Sequence, residues 1–151
     1  MPQTSRRQVA AICYRRISGG IEFLLVRSSA GRWTFPKGNL APGEPPHMEA
    51  AREAFEEAGA IGICERQPLA SYWHVKASGT VHCAVAAFLF EVVATGDAPE
   101  FGRAPTWFQA NEARERLADG RSLRPRRELV RVIDVALRRL ERLRYEPQRS
   151  A

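Results

Sequence analysis

Apolar residues are distributed along the chain in segments whose length and bounding turn residues predict β-strands. Each segment is rich in β-branched or aromatic residues and is flanked by residues that favour turns. The predicted strands cover residues 8–14, 21–27, 67–74 and 81–93. Ser18-Gly19-Gly20 predicts a turn that joins the first two strands into a hairpin, and Ser78-Gly79 predicts a turn before the fourth.

The longest helical patterns repeat at about 3.6 residues. One helix begins at Pro45 and Pro46, because its first turn does not need their missing N–H groups, and ends near Ala58 with Gly59 as its cap. The other is the last element of the chain, and its apolar stripe predicts that it packs on a core. The stripe consists of Leu129, Val132, Ile133, Ala136, Leu140 and Leu143.

Shorter elements complete the pattern. Residues 33–35 form an extended piece, and a loop rich in glycine, proline and acidic residues covers 95–103. A short strand over Thr106–Gln109 is followed by a short helix that Asn111 caps and that ends near Asp119. Together these elements predict a mixed α/β (α+β) fold, with a central sheet flanked by at least two helices.

The composition fits one globular domain. The 151 residues are 44% hydrophobic and 26% charged, so we expect a single domain with its core over residues 6–143 and a flexible tail over 144–151. No apolar run reaches the roughly 20 residues of a membrane span, and no secretory signal is expected. Cys13, Cys64 and Cys83 lack zinc or disulfide spacing, so buried thiols and a cytoplasmic location are expected.

The net charge of +6 is confined to the end of the chain. Between Arg121 and Arg149 there are ten arginines and four acidic residues, so residues 1–120 are close to neutral. A solvated arginine-rich helix face accounts for this excess, and the alternative is a surface that contacts RNA or another anion. Because the same helix could pack against a second subunit, both a monomer and a homodimer remain open.

One face of the first predicted helix carries a dense cluster of carboxylates. At about 100° per residue, Glu49, Glu56 and Glu57 fall within roughly 60° of Glu53. Like charges at these spacings repel each other. The one nearby cation that can reduce this repulsion is Arg52, which can pair with Glu56 four residues further on. A divalent cation would neutralise the cluster, because Mg²⁺ binds carboxylate oxygens. The opposite arc is predicted to pack: Met48, Ala51, Ala54, Phe55 and Ala58.

The spacing of the polar residues around this helix forms a specific motif. Gly38 is followed after five residues by Glu44, and after seven more by Arg52-Glu53, Glu56-Glu57 and Gly59. The pattern resembles the Nudix box, G-x5-E-x7-R-E-U-x-E-E-x-G-U, where U is a bulky aliphatic residue, and every polar and glycine position is filled. Ala54 and Ala60 stand where the family usually has a larger residue.

Softer similarities extend the resemblance over about residues 6–118. They point to the branch that includes diphosphoinositol polyphosphate phosphohydrolases and related dinucleoside polyphosphate hydrolases. The matching segments are residues 7–14, 24–29 and 32–37 and the pairs Gly102-Arg103 and Trp107-Phe108. Many members of the family have Gly-Gly at this point of the box, whereas here Asn39 follows Gly38. The resemblance implies the Nudix fold, in which a mixed β-sheet is sandwiched between helices.

The resemblance also implies a metal site in the box. Glu53, Glu56 and Glu57 match the family's metal-binding carboxylates, and the backbone carbonyl of Gly38 matches a further ligand. The implied cofactor is Mg²⁺, with Mn²⁺ as a possible substitute. Such an ion offsets the negative charge of a phosphoanhydride and can lower the pKa of an attacking water.

Other matched positions have structural or proton-transfer roles. Glu44, Arg52 and Gly59 match residues that brace the loop against the helix. The general base in this family is either a box glutamate or an acid on a distant loop. In this chain the distant candidates are Asp97 and Glu100, of which Glu100 is preferred.

Phosphate binding requires side chains that remain cationic. The candidates flank the box or its rim, and they are Arg27, Arg32, Lys37 and Arg103. Ser28 and Ser29 could donate further hydrogen bonds to phosphate. Trp33, Tyr72 and Trp73 could stack on a base, but a place in the core is favoured.

These features predict a metal-dependent hydrolase that cleaves a phosphoanhydride bond. The expected partner is a small-molecule polyphosphate: a nucleoside or inositol diphosphate linked to another moiety, as in dinucleoside or diphosphoinositol polyphosphates. One alternative is a pyrophosphohydrolase that acts on RNA 5′ ends, to which the arginine-rich segment could contribute. Another is a Nudix module that senses a nucleotide without cleaving it, although a pure sensor would not need three carboxylates on one face.

Overall fold

The structure is a computed structural model that describes residues 4–75 and 81–145. Its strands are β1 (Thr4–Ile17), β2 (Gly20–Arg27), β3 (Trp33–Thr34), β4 (Lys37–Asn39), β5 (Ala60–Cys64), β6 (Ala70–Val75), β7 (Val81–Thr95) and β8 (Thr106–Gln109). Its helices are α1 (Pro46–Ala58), α2 (Ala110–Ala118) and α3 (Leu123–Tyr145). None of the helices in these ranges has the length and apolarity needed to cross a membrane.

The two longest strands, β1 and β7, form the centre of the sheet. They pair in parallel over most of their length, with Val9 opposite Ala86 and Cys13 opposite Phe90. Each then pairs with two shorter strands on its other edge: β1 with β4 and then β2, and β7 with β6 and then β5. Strands β3 and β8 extend the sheet beyond β2. Since the middle of each central strand is covered on both faces, residues 9–14 of β1 and 83–90 of β7 are all apolar.

Alternate residues of β1 supply two separate cores. Val9, Ala11 and Cys13 point to the face that α1 covers. Ala10, Ile12 and Tyr14 point to the opposite face, and there the α3 stripe Leu129, Val132, Ile133, Ala136 and Leu140 is buried with Leu117 of α2. The sheet therefore lies between α1 on one side and the α2–α3 pair on the other, which is the predicted mixed α/β architecture.

Several predicted elements are confirmed. The β1–β2 hairpin turns at residues 18–20, with Ile17 paired to Gly20. The first helix ends at Ala58, and Gly59 caps it in the left-handed conformation at φ +65°. The predicted turn at Ser78-Gly79 and most of the predicted tail lie outside the described residues, and the described start of that tail belongs to α3.

Two short strands were missed, and one predicted strand begins later. The sequence did not predict β4 and β5, because neither has an alternating apolar pattern. Backbone pairing to β1 holds β4 in the sheet, and backbone pairing to β7 holds β5. Gly62 in β5 lies so close to Glu91 of β7 that a Cβ there would overlap the Glu91 carbonyl oxygen. The strand predicted over 67–74 covers Ala70–Val75.

Two residue-level predictions about α2 and β6 were wrong. Asn111 does not cap α2: the helix begins at Ala110 after Gln109, and the Asn111 side chain accepts a hydrogen bond from Arg114 at 2.8 Å. Trp73 is not in the core, since its side chain is on the outer face of β6 and is 54% exposed. Tyr72, one residue earlier on the alternating strand, is buried.

Replacing Gly59 with alanine is expected to destabilise the protein. Alanine at position 59 would have to adopt a left-handed φ, which costs about 1–2 kcal/mol. Its Cβ would also overlap the carbonyl oxygen of Gly96, which adds about 1–3 kcal/mol. The measurement is the free energy of unfolding in urea. Gly43→Ala is the matched control, because Gly43 has φ +82° but no atom within 4 Å of the added Cβ. Equal losses for the two variants would contradict the predicted overlap.

Candidate active site

The carboxylates of α1 lie directly against the backbone of β4. The Glu53 carboxylate is so close to Gly38 that a Cβ on residue 38 would overlap it. The backbone N–H of Lys37 donates a hydrogen bond to Oε2 of Glu57 at 3.0 Å. A side chain at position 38 would displace the Glu53 carboxylate, and the Lys37–Glu57 hydrogen bond links the short strand to the helix as one unit.

The carboxylates of this unit are held in surroundings that oppose their charge. Burial raises the pKa of Glu53 from 4.5 to about 8, and the negative charge of Glu57 and of other neighbouring glutamates adds to the effect. Burial also raises the pKa of Glu57 to about 7, although the Lys37 N–H and the charge of Arg103 counteract it. The site therefore has an excess of negative charge that a cation would relieve.

The orientation of α1 differs from the helical-wheel prediction. Met48 and Phe55, expected to pack, are 59% and 42% exposed, whereas Glu57 is only 4% exposed. The face that meets the sheet consists of small residues, Ala50, Ala54 and Ala58, with Glu49 and Glu57 beside them. Alanines allow the helix to approach the sheet closely, and the flanking carboxylates become buried as a result.

Arg52 connects the loop before α1 to the helix itself. Its guanidinium donates to Glu44 at 2.9 Å and to the buried carboxylate of Glu49. The partner predicted for Arg52 was Glu56, so the relief of repulsion comes from different carboxylates than expected. Along α1 as the structure describes it, Arg52 forms ion pairs with Glu44 and Glu49 and not with Glu53, Glu56 or Glu57.

The residues of the box fit a divalent cation by chemistry. Carboxylate and backbone carbonyl oxygens are the ligands that Mg²⁺ prefers, and Gly38 leaves space for a carboxylate against its backbone. Across residues 4–75 and 81–145, no three His, Cys, Asp or Glu side chains converge on one point. For Glu53, Glu56 and Glu57 to hold one ion together, the partly exposed side chains of Glu53 and Glu56 would have to turn toward Glu57.

A cleft of about 360 Å³ opens between two loops, one after β2 and one before β8. It is lined by Arg27, Ser28, Ser29, Glu100, Phe101, Gly102 and Arg103. Arg103 connects its walls to the box: Nε donates to Glu100 at 2.9 Å, Nη1 donates to the Arg27 carbonyl at 3.3 Å, and Nη2 is 3.8 Å from Oε1 of Glu57.

The loop that carries Glu100 is anchored to the end of α1. The backbone N–H of Glu100 donates to the Glu56 carbonyl at 2.9 Å, and that of Gly96 donates to the Gly59 carbonyl at 2.9 Å. These bonds satisfy carbonyls at and just beyond the helix C-terminus and bring a distant acid next to the box. Asp97, the other predicted candidate for the general base, is exposed and does not line the cleft.

The predicted phosphate-binding residues occupy different places. Arg27 and Arg103 line the cleft, and the guanidinium of Arg27 stacks on Trp33 at 4.3 Å. Arg32 lies away from the lining, next to the turn at Gly120. Lys37 contributes its backbone N–H to Glu57 and is not among the residues that line the cleft.

Two cleft residues, Phe101 and Gly102, were not singled out as binding residues from the sequence. The sequence singled out Asp97, Glu100 and Arg103 in the loop over residues 95–103, but only the topology brings that loop to the box. One signal was available in the sequence, because Phe101 is a large apolar residue in a segment of glycine, proline and acidic residues.

Comparison with known proteins agrees with this fold and site. A family model of the NUDIX domain matches residues 5–129. The chain therefore belongs to the Nudix family.

Curated relatives match over less than half of the chain. The asymmetrical bis(5′-nucleosyl)-tetraphosphatase of Caenorhabditis elegans is 47% identical over 49 residues, which are 31% of this chain and 36% of that protein. Diphosphoinositol polyphosphate phosphohydrolase 3-beta of Bos taurus is 41% identical over 63 residues, which are 40% of this chain and 38% of that protein. The chain thus spans little more than a third of the length of these relatives.

Solved structures with the same fold match over most of the chain. A NUDIX hydrolase from Nitrosomonas europaea has a TM-score of 0.69 at 24% identity, covering 89% of this chain and 90% of that one. The NUDIX domain of NrtR from Shewanella oneidensis, solved with ADP ribose, has a TM-score of 0.69 at 14% identity, covering 91% and 90%. At these identities the likeness shows the fold alone.

The stability of the metal-free protein is expected to fall as the pH rises from about 5 to about 8. Glu53 and Glu57 hold their protons more tightly in the folded state, so their contribution is greatest below pH 4.5 and is lost as they ionise. Urea unfolding in EDTA across this range measures the slope, and Glu53→Gln should flatten it. Glu115→Gln, at an exposed position on α2, should leave the slope unchanged. Stability that rises with pH in this range would contradict the pKa directions.

Proposed function

We propose that this chain hydrolyses a phosphoanhydride bond with the help of Mg²⁺, for which Mn²⁺ can substitute. The substrate class is a nucleoside or inositol diphosphate linked to another moiety. The observation that carries the proposal is the adjacency of two opposite charge environments. The buried carboxylate of Glu57, within the glutamate cluster of α1, lies 3.8 Å from Arg103, and Arg103 lines a cleft together with Arg27.

The box supplies the metal ligands in this proposal. Glu53, Glu56 and Glu57 would hold the ion, with the carbonyl of Gly38 as a further ligand. The bound ion would neutralise charge on the phosphate oxygens and acidify a water molecule. Arg52 and Glu44 keep the loop and helix together, so that the carboxylates stay against β4.

The cleft supplies the phosphate contacts. Arg27 and Arg103 present guanidinium groups that match phosphate oxygens in pairs, and Ser28 and Ser29 add hydroxyl donors. Arg32 and Lys37 lie outside the lining and would contribute long-range positive charge. Because Arg103 touches Glu100 and faces Glu57, binding phosphate at Arg103 places the scissile bond beside both acids.

Glu100 is the proposed general base. It lines the cleft, it is held by its backbone bond to Glu56, and its carboxylate is oriented by Arg103 at 2.9 Å. A carboxylate in this place can accept the proton of a water that attacks phosphorus. Asp97 lies in the same loop but outside the cleft lining, which favours Glu100.

Relatives support the substrate class without choosing between its members. One matching protein is named for cleavage of bis(5′-nucleosyl) tetraphosphates and another for hydrolysis of diphosphoinositol polyphosphates. Turnover of a panel tests the choice: diadenosine polyphosphates, inositol pyrophosphates, nucleotide sugars, ADP-ribose, nucleoside triphosphates and 5′-triphosphorylated RNA. Turnover of RNA alone would favour the RNA 5′ pyrophosphohydrolase, and tight nucleotide binding without any turnover would favour a sensing module.

Glu57→Gln is expected to lower kcat by at least about a hundredfold, because it removes a metal ligand and a charge at the centre of the site. EDTA should abolish the activity of the parent protein. Steady-state rates with the best substrate of the panel provide the measurement. Glu115→Gln serves as the control, since Glu115 is an exposed acid on another helix. Full activity in both Glu53→Gln and Glu57→Gln would refute the proposed metal site.

Glu100→Gln is expected to lower kcat by about a hundredfold with little change in KM, because the amide cannot accept a proton. Asp97→Asn, three residues away in the same loop, should retain nearly full activity. The pH profile adds a second measurement, since loss of the base should remove the acidic limb of kcat. If Asp97→Asn shows the larger loss, the base has been assigned to the wrong acid.

A further inference from the structure

Phe101 is the most exposed large apolar side chain of the described residues. Its relative exposure is 102%, that of a phenylalanine without neighbours, so it contributes nothing to either core. Single exposed apolar residues are common on protein surfaces. The position of Phe101 is what distinguishes it, because its side chain borders the cleft that holds the cationic groups.

The backbone on both sides of Phe101 is held in place. Glu100 donates its N–H to the Glu56 carbonyl at 2.9 Å. The Arg103 carbonyl accepts a hydrogen bond from the Arg27 N–H at 2.7 Å, and the Arg103 guanidinium donates a hydrogen bond to the Glu100 carboxylate at 2.9 Å. The aromatic ring therefore projects from a braced loop, which limits the conformational entropy that a ligand must overcome on contact.

Of the tryptophans considered for base stacking, Trp33 is already engaged and Trp73 lies outside the cleft. Trp33 has the Arg27 guanidinium on its ring at 4.3 Å and the edge of Phe108 at 5.0 Å. Trp73 is exposed on β6 and does not line the cleft. Among the described residues that line the cleft, Phe101 is the one aromatic side chain, and both faces of its ring are open.

A ligand that uses the whole cleft must combine two chemical groups. Arg27, Arg103, Ser28 and Ser29 suit a chain of phosphates, and Phe101 suits a flat aromatic ring. A phosphorylated inositol is neither flat nor aromatic, and its phosphates would meet the negative face of the phenyl ring. A nucleobase attached to a polyphosphate satisfies both requirements.

We propose that Phe101 stacks on the nucleobase of the substrate and thereby makes this site selective for nucleoside polyphosphates over inositol diphosphates. The inference rests on the proposed function and names the substrate class within it. Phe101 acts as a specificity-determining residue: it contacts the base and leaves the chemistry at phosphorus to the box and Glu100.

The test compares Phe101→Ala with the parent protein on two substrates. With diadenosine tetraphosphate, KM should rise about tenfold while kcat changes little, since one base–aromatic stack is lost. With inorganic tripolyphosphate, which has no base, both constants should stay the same. Phe101→Trp should restore a low KM for the nucleotide, and Phe101→Leu should not. Trp73→Ala, at an exposed aromatic residue away from the cleft, is the control.

Binding measurements separate this inference from the proposed activity. Calorimetry with a methylene-bridged dinucleotide that cannot be hydrolysed should show weaker binding to Phe101→Ala than to the parent. If the parent hydrolyses nucleotides but Phe101→Ala has the same KM and the same affinity, the stacking proposal is overturned. An equal loss on tripolyphosphate would overturn it as well. If the parent hydrolyses no substrate while binding still depends on Phe101, the proposed hydrolysis fails and the stacking stands.

Discussion

The close approach of α1 to the sheet is the constraint on which the rest of the site depends. Ala50, Ala54 and Ala58 form the contact face, so the helix comes near enough for Glu53 to lie against the backbone of Gly38. The carboxylates of Glu53 and Glu57 lose part of their water as a result, and burial raises their pKa values. A larger residue at the interface would move the helix outward and return this charge to solvent. The packing of small residues thus creates the electrostatic demand for a cation.

A second interaction network joins the box to the cleft between the loops after β2 and before β8. Arg103 bridges Glu100, the end of β2 at Arg27 and the buried carboxylate of Glu57. The loop before β8 is also tied to α1 through the Glu56 carbonyl. Because these contacts connect three distant segments, the cleft and the metal-binding face are positioned relative to each other. The chemistry and the choice of substrate are therefore assigned to separate elements of one assembly.

The site could be predicted from the sequence only as far as local spacing extends. The box motif identified Gly38, Glu53 and Glu57, because the motif fixes which residues share a helical turn and a neighbouring loop. Local spacing did not show which face of α1 meets the sheet. For that reason Met48 was expected to be buried, although it is exposed. Rotation of a helix depends on the shape of the surface that receives it. Part of that surface is formed here by β1 and β7, which are far from α1 in the chain, so the periodicity of α1 could not reveal it.

Sequence alone determined the elements whose causes are local. The β1–β2 hairpin follows from a glycine turn between apolar strands, and the buried stripe of α3 follows from its period. Only the tertiary structure decided that β5 exists, that Glu100 lies beside the box and that Phe101 borders the cleft. The physical reason is that turn propensity and side-chain periodicity are encoded in neighbouring residues. Backbone pairing and loop docking depend on the N–H and C=O groups that nearly every residue carries, and on which distant segment folds next to them.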